Sequence, residues 1–248
     1  MREVMLITGA SRGIGAASAV LAAERGYDVA ISYRSDADAA GAIAGRARAH
    51  GARAATIQAD VASEEDVERM FATVDAELGT LSVLVNNAGT LDVQMRLDEM
   101  SAERVERTLR VNVLGVFLCC RAAVRRMSTR HGGTGGRIVN VSSVAARMGS
   151  AREYIDYAAS KGAVDSMTVG LANEVAEEGI RVNAVRPGIV YTELHALGGE
   201  PGRVDRLKTV VPMKRGADAA EIASAILWLA SEESSYCTGS FVDVSGGR

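Results

Sequence analysis

Proline and cysteine are scarce in this 248-residue chain, and each scarcity excludes something. Only three Pro stand against twenty-six Gly, which argues for long uninterrupted elements joined by tight glycine turns and against a linker-rich chain. Cys119, Cys120 and Cys237 form no paired framework. With the scattered His50, His131 and His195 they give no metal-ligand spacing, so they read as inert thiols and no metal is expected. No apolar run reaches about 18 residues, so no membrane helix is predicted. The N-terminus leads almost directly into an apolar segment that ends at a glycine turn, with no basic region or cleavage site, and a cytoplasmic protein is expected. A formal charge of −3 selects for neither nucleic acid nor an anionic membrane surface.

What is present is a regular alternation. Short β-branched runs at Val4–Thr8, Val29–Tyr33, Ala54–Gln58, Val83–Asn86, Ile138–Ser142, Arg181–Val185 and Phe241–Val244 are separated by Ala-rich segments with helical periodicity. This predicts repeated βαβ units: an α/β, single-domain Rossmann fold over residues 1–248, with a doubly wound, seven-stranded parallel sheet flanked by helices. Gly26 and Gly51 follow Ala-rich segments where a left-handed C-terminal residue would sit, and Ser63 with Asp66 resembles a capping box. Ser101 is expected to cap a long helix running towards Met127. The segment His131–Gly136 reads as a flexible turn. Gly198, Gly199, Pro201 and Gly202 break any pattern between Val190 and Val210, which reads as a mobile insert at about 190–212.

After the first strand the chain runs Thr8-Gly9-Ala10-Ser11-Arg12-Gly13-Ile14-Gly15 into an Ala-rich helix, Ala16 to Arg25. Glycines there allow backbone conformations closed to other residues and let a pyrophosphate approach the amides of a helix N-terminus. The spacing G-x-x-x-G-x-G differs from the commoner G-x-G-x-x-G, and glycines in a turn also serve as punctuation alone. With strand before and helix after, the turn predicts dinucleotide binding. The second strand ends without the carboxylate that would accept a ribose 2′-hydroxyl; Arg34 and Ser35 follow instead. A carboxylate would repel a 2′-phosphate, whereas Arg34, helped by Arg12, suits it, so the cofactor expected is NADP(H). The alternative for Arg34 is a solvated surface charge.

Tyr157 and Lys161, four residues apart at the start of a helix, share one face. A phenol that ionises near pH ~10 is a poor acid-base catalyst at neutral pH, and a nearby ammonium stabilises its phenolate. Ser142 and Ser143 close the fifth strand at the sheet edge where ligands bind, placing a hydroxyl to orient a substrate oxygen while Tyr157 moves the proton. Asn112 sits within a helix where Asn is unfavourable, which suits a backbone bend or a held water.

Taken in order, Thr8–Gly15, Asn86-Asn87-Ala88-Gly89, Asn112, Ser143, Tyr157 with Lys161, and Pro187-Gly188 followed by Thr192 resemble the short-chain dehydrogenase/reductase family over essentially the whole chain. Tyr33-Arg34-Ser35 and the ending from Thr238 to Gly247 look like its 3-oxoacyl-carrier-protein reductase and glucose dehydrogenase branch. The resemblance implies a catalytic tetrad of Asn112, Ser143, Tyr157 and Lys161. Tyr157 would be the general acid in reduction and Ser143 would orient the carbonyl. Lys161 would bind the nicotinamide ribose and lower the tyrosine pKa, and Asn112 would hold a relay water. It also implies that Gly9, Ser11, Arg12, Gly13, Ile14 and Gly15 cradle the pyrophosphate. Asp60 and Val61 would meet the adenine, Asn87, Ala88 and Gly89 would line the cofactor, and Pro187, Gly188, Ile189 and Thr192 would contact the nicotinamide. The segment after Thr192 would be a substrate lid, and the assembly a homotetramer.

One departure stands out: Ser143 and Tyr157 lie fourteen residues apart where many members have thirteen, so 152–156 reads as a loop longer by one residue, and Ser142 stays a lesser candidate for the hydroxyl. Tyr154 lacks a Lys partner, since Ala158 occupies its i+4 position. The function expected is an NADP(H)-dependent oxidoreductase interconverting a small-molecule carbonyl and a secondary alcohol. The competing class is a non-catalytic NADP(H)-binding sensor or interaction protein on the same fold. A third, an epimerase or dehydratase retaining its nicotinamide, fits a different glycine pattern and longer chains. Val144, Met148, Tyr154, Leu194 and His195 are the expected pocket walls.

Overall fold

The computed structural model describes residues 2–248. Its strands are β1 (Val4–Ile7), β2 (Asp28–Tyr33), β3 (Ala54–Gln58), β4 (Leu81–Asn86), β5 (Gly136–Val141), β6 (Ile180–Pro187) and β7 (Phe241–Val244). The helices are α1 (Gly13–Glu24), α2 (Ala37–Ala49), α3 (Glu64–Glu77), α4 (Ala102–Leu109), α5 (Gly115–Met127), α6 (Ala145–Met148), α7 (Ile155–Val175), α8 (Leu194–Leu197), α9 (Arg203–Leu207) and α10 (Ala219–Leu229). All seven strands join one parallel sheet in the order β3-β2-β1-β4-β5-β6-β7. The order reverses between β1 and β4, so the crossovers leave in opposite directions there and open a crevice at the carboxyl ends of those strands.

Alternation along the strands builds the layers. In β1, Val4 and Leu6 enter a core with α3, α5 and α7, while Met5 and Ile7 enter a second core with α1, α2 and α10. Both faces are covered, which is why these strands read as continuous apolar runs. The single-domain, doubly wound sheet expected from the sequence is what forms.

The boundaries differ instructively. Helix α1 starts at Gly13, not Ala16, so the last glycines of the turn are its first residues. The expected long helix after Ser101 is two helices, α4 and α5, joined by a π-helical turn over Arg110–Leu114, with Asn112 buried in it. Ser101 caps α4 by accepting the Arg104 amide, and Gly26 and Gly51 end α1 and α2 at φ +89° and +75°. Ser63 caps α3, but Asp66 turns its carboxylate to the Asp60 amide, so the capping box is half made. The reciprocal box belongs to Asp218 and Glu221 at α10. The 131–136 turn is held, not loose: Gly133 and Gly135 donate to Ser128 O and Met127 O at 2.9 and 2.7 Å. The 190–212 segment contains α8 and α9, and packs Val204 and Val211 against Ile189. No helix among the described residues is long and apolar enough to cross a membrane, and none of them cluster as metal ligands.

Candidate active site

The crevice at the strand reversal is a cleft of about 570 Å³ reaching from the glycine turn to the start of α7 and on to α8. Its floor at one end is a knot of hydrogen bonds. Thr8 Oγ1 accepts the Asn87 and Ala88 amides, both at 3.0 Å, and the Asn87 side chain donates back to Thr8 O and Gly9 O, both at 2.9 Å. The strand ends are thereby locked 78 to 80 residues apart in sequence. The knot leaves no room for side chains: a Cβ on Gly15 would lie 2.5 Å from Asn87 Nδ2 and 2.6 Å from Gly9 O. Gly9, at φ +62°, is closed in by Ala88 in the same way. Helix α1 then opens onto the cleft with no side-chain cap and no acidic residue in its first turn. Its free amides and dipole suit a phosphate.

Every residue expected to touch a dinucleotide, from Gly9 and Ser11–Ile14 through Arg34, Ser35, Asp60, Val61, Asn87–Gly89, Tyr157 and Lys161 to Pro187, Gly188, Ile189 and Thr192, borders this one cleft, save Gly15, buried in the knot. Arg12 and Arg34 are exposed on its rim, and among the described residues no carboxylate pairs with either of them. The turn and the far loop meet across it, since a Cβ on Gly13 would lie 3.3 Å from Thr192 Cγ2.

At the middle of the cleft the sheet edge delivers Ser143 and α7 delivers Tyr157 and Lys161. Ser143 Oγ accepts the Ala145 amide at 3.1 Å, and its hydroxyl meets the Tyr157 phenol. Burial pushes that phenol up to about 12, with the Ser143 hydroxyl pulling it the other way. Lys161 Nζ donates to Val141 O at 2.7 Å and lies 5.6 Å from the centre of the Tyr157 ring. Burial draws its ammonium down to about 8, against the pull of Asp165. In this arrangement burial outweighs the depression of the phenol that the four-residue spacing suggests. Asn112 Oδ1 accepts the Thr90 amide at 2.8 Å, and its amide group donates to Thr90 O and Ser160 Oγ at 3.0 and 3.1 Å. One lone pair on Oδ1 is left for a water. Lys161 Nζ is near, because a Cβ on Gly89 would lie 3.4 Å from Asn112 Oδ1 and 3.7 Å from Lys161 Nζ.

The alternatives are resolved by their partners. Ser142 Oγ donates to Asp165 at 2.6 Å, with Lys161 O 3.3 Å away, so its hydroxyl is spent beneath the site. Tyr154 is buried and donates to Gly198 O at 3.3 Å. Val144, Met148, Leu194 and His195 line the cleft beyond Tyr157, as expected. Sequence reasoning missed three things. Thr8 reads in the sequence as the end of the first strand and the start of the glycine motif, with no sign of the bonds its hydroxyl makes. Arg104 and Asp156, which form a buried pair behind Tyr157, stand 52 residues apart with no spacing signal. Arg203 and the terminal Arg248 also border the cleft, and only the chain's path could reveal that.

Residues 9–248 match the family model described as enoyl-(acyl carrier protein) reductase. The chain is 54% identical over 245 residues, 99% of both chains, to a protein of Escherichia coli (strain K12) named uncharacterized oxidoreductase YgfF. It is 37% identical to glucose 1-dehydrogenase 2 of Bacillus subtilis (strain 168), covering 99% of this chain and 94% of that one. Among solved structures, a short-chain dehydrogenase from Burkholderia cenocepacia J2315 in complex with NADP superposes with a TM-score of 0.90 at 34% identity, covering 99% of this chain and 97% of that one.

Proposed function

The chain belongs to the short-chain dehydrogenase/reductase family and is an oxidoreductase; from that premise we propose that it interconverts a small carbonyl compound and the secondary alcohol with NADP(H), using Tyr157 as the acid-base group. The observation that carries this reading is the convergence of the uncapped α1 terminus, Ser143, Tyr157 and Lys161 on one cleft.

The residues fit a dinucleotide. Gly9, Gly15 and Asn87 pack too closely to admit a Cβ, which brings the uncapped N-terminus of α1 up to the cleft. Arg34, with Arg12 across the rim, offers cations for a 2′-phosphate at a strand end that carries no carboxylate to repel it. When bound, the nicotinamide ring supplies or takes up the hydride at the substrate carbon. In reduction, Ser143 donates a hydrogen bond to the substrate oxygen, and Tyr157 gives that oxygen its phenolic proton as negative charge develops there. With its phenol at about 12, Tyr157 stays protonated through neutral pH, which suits the reductive direction. Lys161 holds the nicotinamide ribose and stabilises the phenolate left behind. A water on the spare lone pair of Asn112 returns the proton from solvent. The 190–212 segment closes over the substrate as a lid. The exposed Leu109, Leu114, Phe117 and Val169 suit helix packing in a homotetramer, and the protein works in the cytoplasm.

The test is oxidation of NADPH, followed by absorbance, with a panel of ketones and β-ketoacyl thioesters. Wild type should turn over at least one carbonyl and Tyr157→Phe should lose that activity by at least a hundredfold, in the range of about 10²–10⁴ typical of acid-base catalysis. Turnover unchanged in Tyr157→Phe would remove the acid-base role. NADPH should be preferred to NADH, and Arg34→Ala should abolish the preference; an NADH-preferring wild type refutes the role given to Arg34.

A further inference from the structure

Beyond Tyr157 the cleft is walled by Leu91, Val144, Met148, Leu194 and Leu197, with Tyr154, His195 and Arg203 among them. The chain passes the glycine turn at Thr192 and then folds Gly198 onto the far wall, where an added Cβ would lie 2.9 Å from Leu91 and 3.1 Å from the Tyr154 hydroxyl. What matters is how the polar side chains of this half are used. Tyr154 gives its hydroxyl to Gly198 O. Arg203 is bound by Glu153 and Glu200 and lies 4.9 Å over the Tyr154 ring. His195 Nε2 meets Val190 O at 3.1 Å, so Nε2 carries the proton and donates. Its Nδ1 is shut away from solvent without a partner. Burial, with the Arg203 charge adding to it, draws that imidazole below its usual range and keeps it neutral. Each of these donors and charges is committed inside the protein, while Met148 and Leu197 keep about half of their surface open.

We propose that the substrate is an uncharged ketone or aldehyde carrying an apolar substituent, which lies against Leu91, Met148 and Leu197, and not a polyol or a carboxylate. The inference rests on the hydride-transfer reading above and specifies its substrate class. A polyol would bury hydroxyls against Tyr154 and Arg203, whose donors are already paired, and each hydroxyl left without a partner weakens binding by about five- to a hundredfold. An apolar chain finds its partners already in place. Besides Lys161, the charges among the described residues that border the cleft without an ion pair are Arg12, Arg34, Asp36 and Asp60 by the glycine turn and the ends of β2 and β3, Glu193, whose carboxylate lies 3.9 Å from a Cβ built on Gly13 and so belongs to the same cofactor half, and Arg248.

The experiment is NADPH oxidation by the purified protein with methyl ketones from 2-butanone to 2-octanone, alongside dihydroxyacetone, glucose and levulinate. The specificity constant kcat/KM should rise about two- to fourfold per added methylene until the wall is covered, and Leu197→Ala and Met148→Ala should flatten that slope. 2-Hexanone should outrun levulinate, its charged counterpart of similar length. A flat series, or dihydroxyacetone or glucose ahead of every ketone, overturns the proposal. Levulinate ahead of 2-hexanone also overturns it and transfers recognition to Arg248. Turnover of no carbonyl at all refutes hydride transfer instead. In that event thermal stability with NADP present still reads the pocket: stabilisation by 2-octanone but not by glucose supports an apolar ligand, and the reverse overturns it.

Discussion

Replacing Arg104 by Met should destabilise the protein by about 3–5 kcal/mol, because it strands a buried carboxylate. The side chains of Arg104 and Asp156 are 5% and 2% exposed, and their two contacts are 2.9 and 3.4 Å. Asp156 also accepts the Thr108 hydroxyl at 3.4 Å and the Tyr157 amide at 2.9 Å, while a third nitrogen of the guanidinium donates to Val93 O at 2.6 Å. The pair therefore ties α4, the 90–95 loop and the first turn of α7 together directly behind Tyr157. Met retains most of the arginine stem, so cavity formation adds little and the cost is electrostatic. In Arg104→Met/Asp156→Leu no charge remains buried. What is left is the loss of partners for Thr108, Tyr157 N–H and Val93 O, about 1 kcal/mol each. Urea denaturation followed by circular dichroism measures both, the midpoint shift at constant slope giving the change. The double variant should be no less stable than the single one. A single-variant loss below about 1 kcal/mol, the range of an exposed pair, or a double variant less stable than Arg104→Met, would refute the reasoning.

Gly15→Ala should raise the dissociation constant for NADPH at least tenfold and cost about 1–3 kcal/mol of stability, since the new methyl meets Asn87 and Gly9 at under 2.7 Å; isothermal titration and thermal melting read the two effects. Gly133→Ala should cost a similar amount of stability without changing that affinity, because its Cβ would lie 2.4 Å from Arg126 O and Met127 O, before the end of β5 opposite the cleft. Lys161→Met should stabilise the fold at pH 7 while abolishing activity. The Lys161 ammonium is drawn from 10.5 to about 8 on folding, so from pH 8 towards 10.5 the unfolded chain holds more protons and wild type gains stability. The advantage of Lys161→Met, up to about 3 kcal/mol, should therefore shrink between pH 8 and 10, and a pH-independent gap in melting temperature would contradict it.

The fold was legible because its signal is local. Strand and helix periods, glycine ends and the Ser101 cap each depend on a few neighbouring residues, so the seven strands were placed to within about two residues at most ends. Where the reading slipped, a distant group competed. The Asp66 carboxylate left Ser63 for the Asp60 amide, and Asn112 found Thr90 and Ser160, consistent with a π turn in place of a straight helix. At the candidate site the same division holds. Tyr157 and Lys161 could be paired from their spacing, and Arg34 from the missing carboxylate beside it. Their electrostatics could not, because desolvation depends on what packs around them, and it moves the phenol up and the ammonium down.

By itself the sequence determined the doubly wound sheet, the glycine turn and the set of residues gathered at its edge, since a period of two or 3.6 and a glycine at a turn act over a single element. Only the tertiary structure decided which polar groups remain free. It spends Ser142 on Asp165, Tyr154 on Gly198 and Arg203 on Glu153 and Glu200, and leaves Ser143 and Tyr157 facing each other in the cleft. The reason is that a hydrogen bond or charge is satisfied by whichever partner folding brings within about 3 Å, and those partners lie anywhere from three to 50 residues away.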